Sequence, residues 1–490
     1  MAKYKQYNYD QTMLVPVCLK EQLLPGTLEY TIHMLIDGHV DMSVFEENYN
    51  NDDTGRRAYD PKILLKAILF GYARGLLTSR KIEKACRENI TFMALTCGQA
   101  PDHSTVAAFV TSMKDQVMRI FQDILLYCDE NGLLGGTSFS VDGCKLPSNA
   151  SKEKSGTFEQ LDEKKLRLHN RLSELLTEHQ KNDTIDAKIQ GIEKRIQKLD
   201  NFARDNEPKI GSKGNEIKSN ITDNDSNLML TSHGVIQGYN AQAVVDSKNQ
   251  IIVYPDAGHS GQDDEHLSIM IDGAKENLKA IGKDDDCLKN VDMLSDANYF
   301  APTNLQKLKD EQINGYIPDT DFRKRDPRLI QGDAKFSLAN FEFDPKRDVY
   351  TCPAGETMTR QRDSHRKGKP YYRHYAADEK KCSACSSRHQ CLMNKKSKRR
   401  YLNVNHDKKL AHYTRDMITK MDSDEGRRKY DQRLGMVEPV FANIRFQKRM
   451  DRFWRRGKDK VDVEWMLYCM VHNIEKCIRS CLNPIVSPAI

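Results

Sequence analysis

Thr137-Ser-Phe-Ser-Val-Asp142-Gly143 is the stretch on which the reading of the fold turns. Apolar and small residues run into a carboxylate followed at once by glycine, the pattern of a buried strand that delivers an acidic group at its end. Working outward, Val-Asp-Met-Leu-Ser-Asp-Ala (291–297) repeats the pattern, with Asp296 followed by alanine. A third acidic residue, Glu438, lies in Tyr430-Asp-Gln-Arg433-Leu-Gly-Met-Val-Glu438-Pro-Val-Phe-Ala-Asn-Ile-Arg445, where Pro439 suggests that a helix begins. Carboxylates far apart in sequence but carried on strand ends and a helix can converge on a pair of hard divalent cations. Such a pair activates water and stabilises the leaving oxygen in phosphodiester chemistry. Taken singly, each has a plainer reading as a solvated surface group or a cap.

The surroundings of these residues predict a mixed α/β unit over 131–320. Strand patterns at 235–245 and 250–254 flank a turn at Asp246-Ser-Lys-Asn249, and helical patterns follow near 264–281 and 302–312. Short strands are expected at 291–296 and at Gly315-Tyr-Ile-Pro318. Inside this unit, 151–205 is polar and rich in Lys and Glu. Its apolar positions (Leu161, Leu168, Leu172, Leu175, then Ile185, Ile189, Ile192, Ile196, Leu199) predict a coiled-coil-like helical hairpin turning at Asn182-Asp183. The hairpin reads equally as a spacer or as a dimerisation arm. Asp223, Asp225, Asp263 and Asp264 read as turn and helix-start residues outside the metal set, although Asp263 or Asp264 could lie close to it.

Residues 1–130 read as all-helical. Asp60-Pro61 caps an almost wholly apolar helix, Thr78 or Ser79 caps the next, and Pro101-Asp102-His-Ser104 opens a longer one running to about Tyr127. Short helices with polar turns suit a helix-turn-helix-like DNA-binding unit and a plain bundle alike. From 321 to 425 the chain reads as an irregular, basic, cysteine-bearing insertion, and 426–490 returns to the core as helices.

With 490 residues, the chain is long enough for two to four units. No apolar run nears the roughly 20 residues of a membrane helix, and the N-terminus lacks the apolar core of a signal peptide, so an intracellular protein is expected. The net charge of +6 is modest but uneven: eight Lys or Arg fall between Arg445 and Lys460, and Lys395-Lys-Ser-Lys-Arg-Arg400 forms a second run. Arg445, Lys448 or Arg449, Arg452 and Arg456 recur at helical steps with Phe453 and Trp454 interleaved, which predicts a cationic DNA-facing helix near 445–456; the bland reading is a solvated surface. Thirteen cysteines in such a chain argue against a disulfide framework. Cys352, Cys382, Cys385 and Cys391 fall in one stretch and could furnish a four-thiolate Zn²⁺ site, a redox pair or unpaired thiols, with His374 and His389 as substitute ligands.

The block Tyr430, Arg433, Glu438, Arg445, set in Val-Glu-Pro-Val-Phe-Ala-Asn-Ile-Arg (437–445), resembles that of bacterial insertion-sequence transposases of the DDE type. Gly-Tyr-Asn-Ala-Gln (238–242), Ser-Asp-Ala-Asn-Tyr-Phe (295–300) and Tyr59-Asp-Pro-Lys-Ile-Leu-Leu-Lys extend the resemblance over most of the chain. It implies an RNase H-like catalytic domain in which Asp142, Asp296 and Glu438 hold two Mg²⁺ (or Mn²⁺) ions. Cleavage at the element's end would free a 3′-OH that attacks target DNA. Tyr430, Arg433 and Arg445 match positions that contact phosphates, a task suited to a guanidinium and a phenol. Arg445 stands where the family usually has Lys, and the interval from Arg433 to Glu438 is one residue longer than the commonest form. The partners implied are double-stranded DNA, as transposon ends and target, and further copies of the chain. The setting implied is the bacterial cytoplasm at the nucleoid. A metal-dependent nuclease without strand transfer and a catalytically inactive DNA-binding protein are the alternatives.

Overall fold

The computed structural model of the chain describes residues 17–48, 57–177, 183–211, 214–258, 260–326, 328, 336, 340–364, 372–392, 396–405 and 411–479. The expected turn residue Asn182 and the first residue of the basic run, Lys395, lie outside the described residues.

The N-terminal part is helical: α1 (Leu28–Gly38), α2 (Pro61–Ala73), α3 (Ser79–Glu88), α4 (Ile90–Leu95), α5 (His103–Ser112) and α6 (Val117–Glu130). Side chains start these helices where the sequence places caps. Asp60 accepts from the Lys62 N–H at 2.8 Å, Thr78 caps α3, and Asp102 accepts from the Ser104 and Thr105 N–H groups. The single helix expected from Ser104 to Tyr127 is two. Hydroxyls of Thr111 and Ser112 donate to the Ala107 and Phe109 carbonyls, local bonds that compete with the helix ladder at the break.

A six-stranded mixed sheet follows. Its strands are β1 (Ser138–Pro147), β4 (Asn227–Thr231), β5 (Gly234–Asp246), β6 (Ile252–Gly258), β7 (Asp292–Ser295) and β8 (Asn314–Tyr316); the small pair β2 (Ser155–Gly156) and β3 (Ser219–Asn220) stands apart. The long β5 pairs antiparallel with β1 along one side, and with β4 and β6 along successive halves of the other. β1, β7 and β8 are parallel neighbours. Helices α7 (Phe158–Thr177) and α8 (Asp183–Asp205) pack against each other between β2 and β3, with Leu161, Leu199 and Phe202 in their own small core. Helix α9 (Leu267–Ala280) packs on β5 and β6, and α10 (Pro302–Asp310) joins β7 to β8.

After the short helix α11 (Phe322–Arg325), the described residues of the region expected to be irregular are ordered into strands. They form a five-stranded antiparallel sheet of β9 (Glu342–Asp344), β10 (Val349–Thr351), β11 (Thr357–Ser364), β12 (Tyr372–Ala377) and β13 (Tyr401–Asn405). The helices α12 (Glu379–Ala384) and α13 (Arg388–Cys391) lie between its last two strands. The strands hide in the sequence because they are short and few of their positions are buried; Met358 is the only buried residue of β11. The small core of Phe341, Met358, Tyr375, Ala377 and Leu402 is separate from the main one.

Three α-helices follow among the described residues: α14 (Ala411–Asp422), α15 (Asp424–Ala442) and α16 (Lys458–Cys477). Helix α16 is buried along most of its length and touches α1, α2, α5, α6 and β6, so helical part and sheet share one core. Tyr468 stacks on Tyr72 at 4.6 Å between ring centres, and Trp465 donates to the Gln242 carbonyl at 2.9 Å. Asn473 both accepts from the Ile252 N–H and donates to its carbonyl, occupying the open edge of β6 as a neighbouring strand would.

Candidate active site at the parallel seam

Strand register brings the first two carboxylates together. β1 and β7 pair from Ser138 with Asp292 to Val141 with Ser295, so Asp142 and Asp296 are the next residues on adjacent strands. Asp142 does not end its strand: β1 continues to Pro147 against β5, and it is the parallel partner that stops there. One Asp142 oxygen accepts from the Gly143 N–H at 2.8 Å and the other from Arg433 Nη1 at 2.9 Å. Asp296 caps the short turn Ala297–Tyr299, accepting from the Asn298 N–H and side-chain amide. Burial pushes the Asp142 carboxyl up to about 6 against the pull of Arg433, and the charges of Asp296 and Asp263 push the same way. Asp296 is raised as well, first by burial, with Asp263 adding to it. Neighbouring carboxylates raised by burial and by nearby negative charge are the condition a cation relieves.

The third charge in this cluster is Asp263, expected to be a helix-start residue that could lie close to the metal set. It lies in the turn before α9 and accepts from the side-chain amides of Asn240 (2.6 Å) and Gln242 (3.0 Å). The Tyr299 hydroxyl, fully buried, donates to Gln242 Oε1. Gly143 is required here, since a Cβ would come within 2.2 Å of Gln242 Nε2. Asn240 and Gln242 alternate on β5 within Gly-Tyr-Asn-Ala-Gln, so the strand pattern held a signal for this floor of amides; its carboxylate partner came from a turn and was legible only as a helix-start residue.

Glu438 is placed differently. Helix α15 begins at Asp424, capped by Ser423, and Pro439 lies inside it rather than at its start. The Gly435 carbonyl, which Pro439 cannot pair, accepts instead from the Gln250 side chain at 2.8 Å. Arg433, Val437 and Val440 form the buried face, while Glu438 is exposed. No hydrogen bond or ion pair among the described residues joins Glu438 to Asp142, Asp296 or Asp263. Tyr430 packs edge-on against Phe322, with ring centres 5.5 Å apart. Arg445, also exposed, lies in a π-helical turn (Asn443–Gln447) that continues α15, and its charge is felt by Cys144, two residues past Asp142.

The cationic helix expected near 445–456 does not form. Beyond the π turn the chain leaves the helix at Lys448, Arg449 takes a φ of +57°, and α16 starts only after Gly457. Lys448 is buried against Glu475 at 2.7 Å; Arg452 and Arg456 donate to the carbonyls of Ser148 and Asn149. Phe453 is fully buried and its N–H donates to the Pro147 carbonyl. Burying Phe453 against the end of β1 requires an extended chain, and the arginines at helical spacing serve to tie that segment down.

Among the described residues no three His, Cys, Asp or Glu side chains are already disposed around one point as metal ligands. Asp142 and Asp296 fit a shared divalent ion as carboxylates on adjacent strands, both raised chiefly by burial; Glu438 is not gathered with them. Of the other expected ligands, the four cysteines line one cavity, and His374 is engaged by Ser364 and Asn403 on the sheet.

Two protein-family models match the chain: the Transposase DDE domain over residues 351–478 and the transposase domain DUF772 over residues 17–112. The first spans the cysteines, Tyr430, Arg433 and Glu438; Asp142 and Asp296 lie between the two matches. These matches support the chain as an insertion-sequence DDE transposase, and they imply a function in DNA transposition. The DDE domain goes with a nucleotidyl-transferase type of activity on DNA, and such enzymes generally use divalent metal. No curated protein matches the chain. No helix among the described residues is long and apolar enough to cross a membrane.

Proposed function

We propose that the chain cuts DNA at the ends of a mobile element and joins the freed ends to target DNA, through an RNase H-like core that uses Asp142, Asp296 and Glu438. What carries this reading is the register at the parallel seam, which sets Asp142 beside Asp296 in a chain with two transposase matches. The mixed sheet, with helix α15 packed across β1, β5, β7 and β8, supports the RNase H-like assignment.

A divalent ion, Mg²⁺ or Mn²⁺, held at Asp142 and Asp296 would supply an activated water and charge stabilisation of the leaving oxygen. The chain's own residues do the rest. The Asn240 and Gln242 amides hold Asp263, and Arg433 favours the ionised form of Asp142 against the burial that raises it. Tyr430 and Arg445, on the helix that carries Glu438, offer a phenol and a guanidinium to the phosphates of the cut end. DNA drawn onto α15 would bring Glu438 toward the seam, and two or more copies would pair the two ends.

The exposure of Glu438 away from the seam favours, as a second reading, a DNA-binding protein that does not cut. Strand cleavage and joining with Mg²⁺ on labelled terminal DNA separates the two. Wild type is expected to cut and join, while Asp142→Ala, Asp296→Ala and Glu438→Ala still bind the ends. Loss of several kcal/mol of transition-state stabilisation corresponds to a fall of roughly a thousandfold. An active Glu438→Ala would remove Glu438 from the set, and a wild type that binds but never cuts with either metal would leave the second reading.

A further inference from the structure

We propose that Cys352, Cys382, Cys385 and Cys391 bind one structural Zn²⁺ that holds the five-stranded sheet together, a role independent of cleavage at the seam.

The need for a staple comes from the size of the core. Among the described residues this sheet places five buried side chains in a core of its own, with Tyr350, Cys352, Cys382 and Val404 packed against them. Most of β11 is exposed, and β9 and β10 are three residues each. A unit of this size rarely gains enough from apolar burial alone, and disulfides or metals make up the difference in small folds. All four thiols are free, so disulfides do not supply it.

Local geometry presents the sulfurs as ligands. Cys352-Pro-Ala-Gly355 is a tight turn between β10 and β11, closed by the Gly355 N–H on the Cys352 carbonyl at 2.8 Å, with Gly355 at φ +86°. Within it the Glu356 N–H donates to Cys352 Sγ at 3.4 Å, an arrangement in which the sulfur is an acceptor, as a metal-bound thiolate is. Cys382 and Cys385 lie at the end of α12, where the Cys385 N–H donates to the Cys382 carbonyl, and Cys391 ends α13. Three separate chain segments thus deliver four thiols to one place.

That place is a single cavity of about 20 Å³ lined by all four cysteines, with room for one small guest. The Cys391 thiol, raised chiefly by burial, also feels Cys382, Cys352 and Cys385, so all three lie within electrostatic range of it. Arg388 and Arg400 line the same cavity, and each donates to a cysteine carbonyl, of Cys382 and Cys391 respectively. Two guanidiniums complement the double negative charge that four thiolates leave on one Zn²⁺. The thiols are gathered but not closed to ligand spacing. A bound ion would draw each sulfur to about 2.3 Å from the metal and release one proton per thiol as it becomes a thiolate. A redox pair of Cys382 and Cys385 alone would leave Cys352 and Cys391 without a reason to converge on the same cavity, and His389 does not line it.

The test is the metal content of the full chain purified without chelator, with Co²⁺ exchange on the wild type. About one Zn²⁺ per chain is expected, replaceable by Co²⁺ with the visible absorption of a tetrahedral thiolate site. Cys382→Ser and Cys385→Ser should each lose the ion, while Cys18→Ser, at an exposed distant thiol, keeps it. Because the cobalt spectrum is read on wild type, a variant that fails to fold does not blur the outcome. Less than about a tenth of an ion per chain with no cobalt spectrum would overturn the proposal. So would alkylation mapping that finds Cys382 joined to Cys385. Neither result bears on whether the seam cleaves DNA, since neither reads cleavage.

Discussion

The two sheets of this molecule reach order by opposite means. In the six-stranded sheet, β5 is buried from Gln237 to Asp246, helices cover it, and one apolar core runs on into α16 and the N-terminal helices. In the five-stranded sheet most of β11 is exposed, few strand positions are buried, and among the described residues the buried core is five side chains. Apolar burial is non-directional and needs no particular polar partner, so the first sheet can leave carboxylates crowded at its seam and still hold their spacing. The second has no such reserve, and its four converging thiols stand where a core would otherwise be. The proposed site for chemistry and the proposed site for structure thus differ in their surroundings: a large shared core behind Asp142, a small separate one behind Cys391.

The comparison can be attacked first at the joint of the large core. Trp465 is buried, stacks on Phe441 at 6.1 Å between centres and donates to the Gln242 carbonyl. Trp465→Ala should cost about 3–5 kcal/mol of global stability in denaturant unfolding, because it opens a cavity and orphans a strand carbonyl together.

Glu464 gives the next largest effect, through pH. It is buried on α16 and accepts from the Trp454 and Arg455 N–H groups, and burial pushes its carboxyl up to about 7. The native state therefore holds a proton between about pH 4.5 and 7 that the unfolded chain gives up, and stability from this group falls as pH rises through that window. On the order of 3 kcal/mol is at stake. Glu464→Gln should flatten the slope in unfolding followed from pH 4.5 to 8, and a slope that persists would assign the titration elsewhere.

How much of this was open to the sequence depends on what carried each feature. Asp60, Thr78 and Asp102 were readable as caps because capping is a local contact of two or three residues. Asp142 and Asp296 were readable as strand acids because the runs before them are apolar, although only register shows that they are neighbours. Glu438 could be found by its motif but not placed, since Pro439 pointed to a helix start where the chain instead carries a proline inside α15. The basic stretch misled for a related reason: Arg445, Arg449, Arg452 and Arg456 keep helical spacing, whereas the burial of Phe453 and the turn at Gly457 decide the backbone. Asp263 was legible only as a helix-start residue that could lie near the metal set, because its partners Asn240 and Gln242 come from a strand some twenty residues earlier.

A smaller effect is expected at Gly143, where any side chain meets Gln242 and Asn240. Gly143→Ala should cost about 1–3 kcal/mol by overpacking, and it should weaken cleavage more than DNA binding, because the displaced amides are those that hold Asp263.

The smallest global effect is the one that tests the comparison most directly. Met358 is fully buried in the five-residue core, and Met358→Ala in a cooperative domain would cost about 2–5 kcal/mol. If the small sheet opens as its own unit, that cost is confined to the local equilibrium. Amide exchange in β11 and β12 should then quicken by the corresponding factor while exchange in β1 and β5 stays as in wild type. Global unfolding followed at the buried Trp465 should not shift. Chelation should act on the same amides as Met358→Ala and leave the same ones untouched, because both remove what holds the small sheet and neither touches the large core. A matching loss in β1 and β5 would mean that the two sheets unfold as one, and that the burial around Asp142 is shared with the cysteines after all.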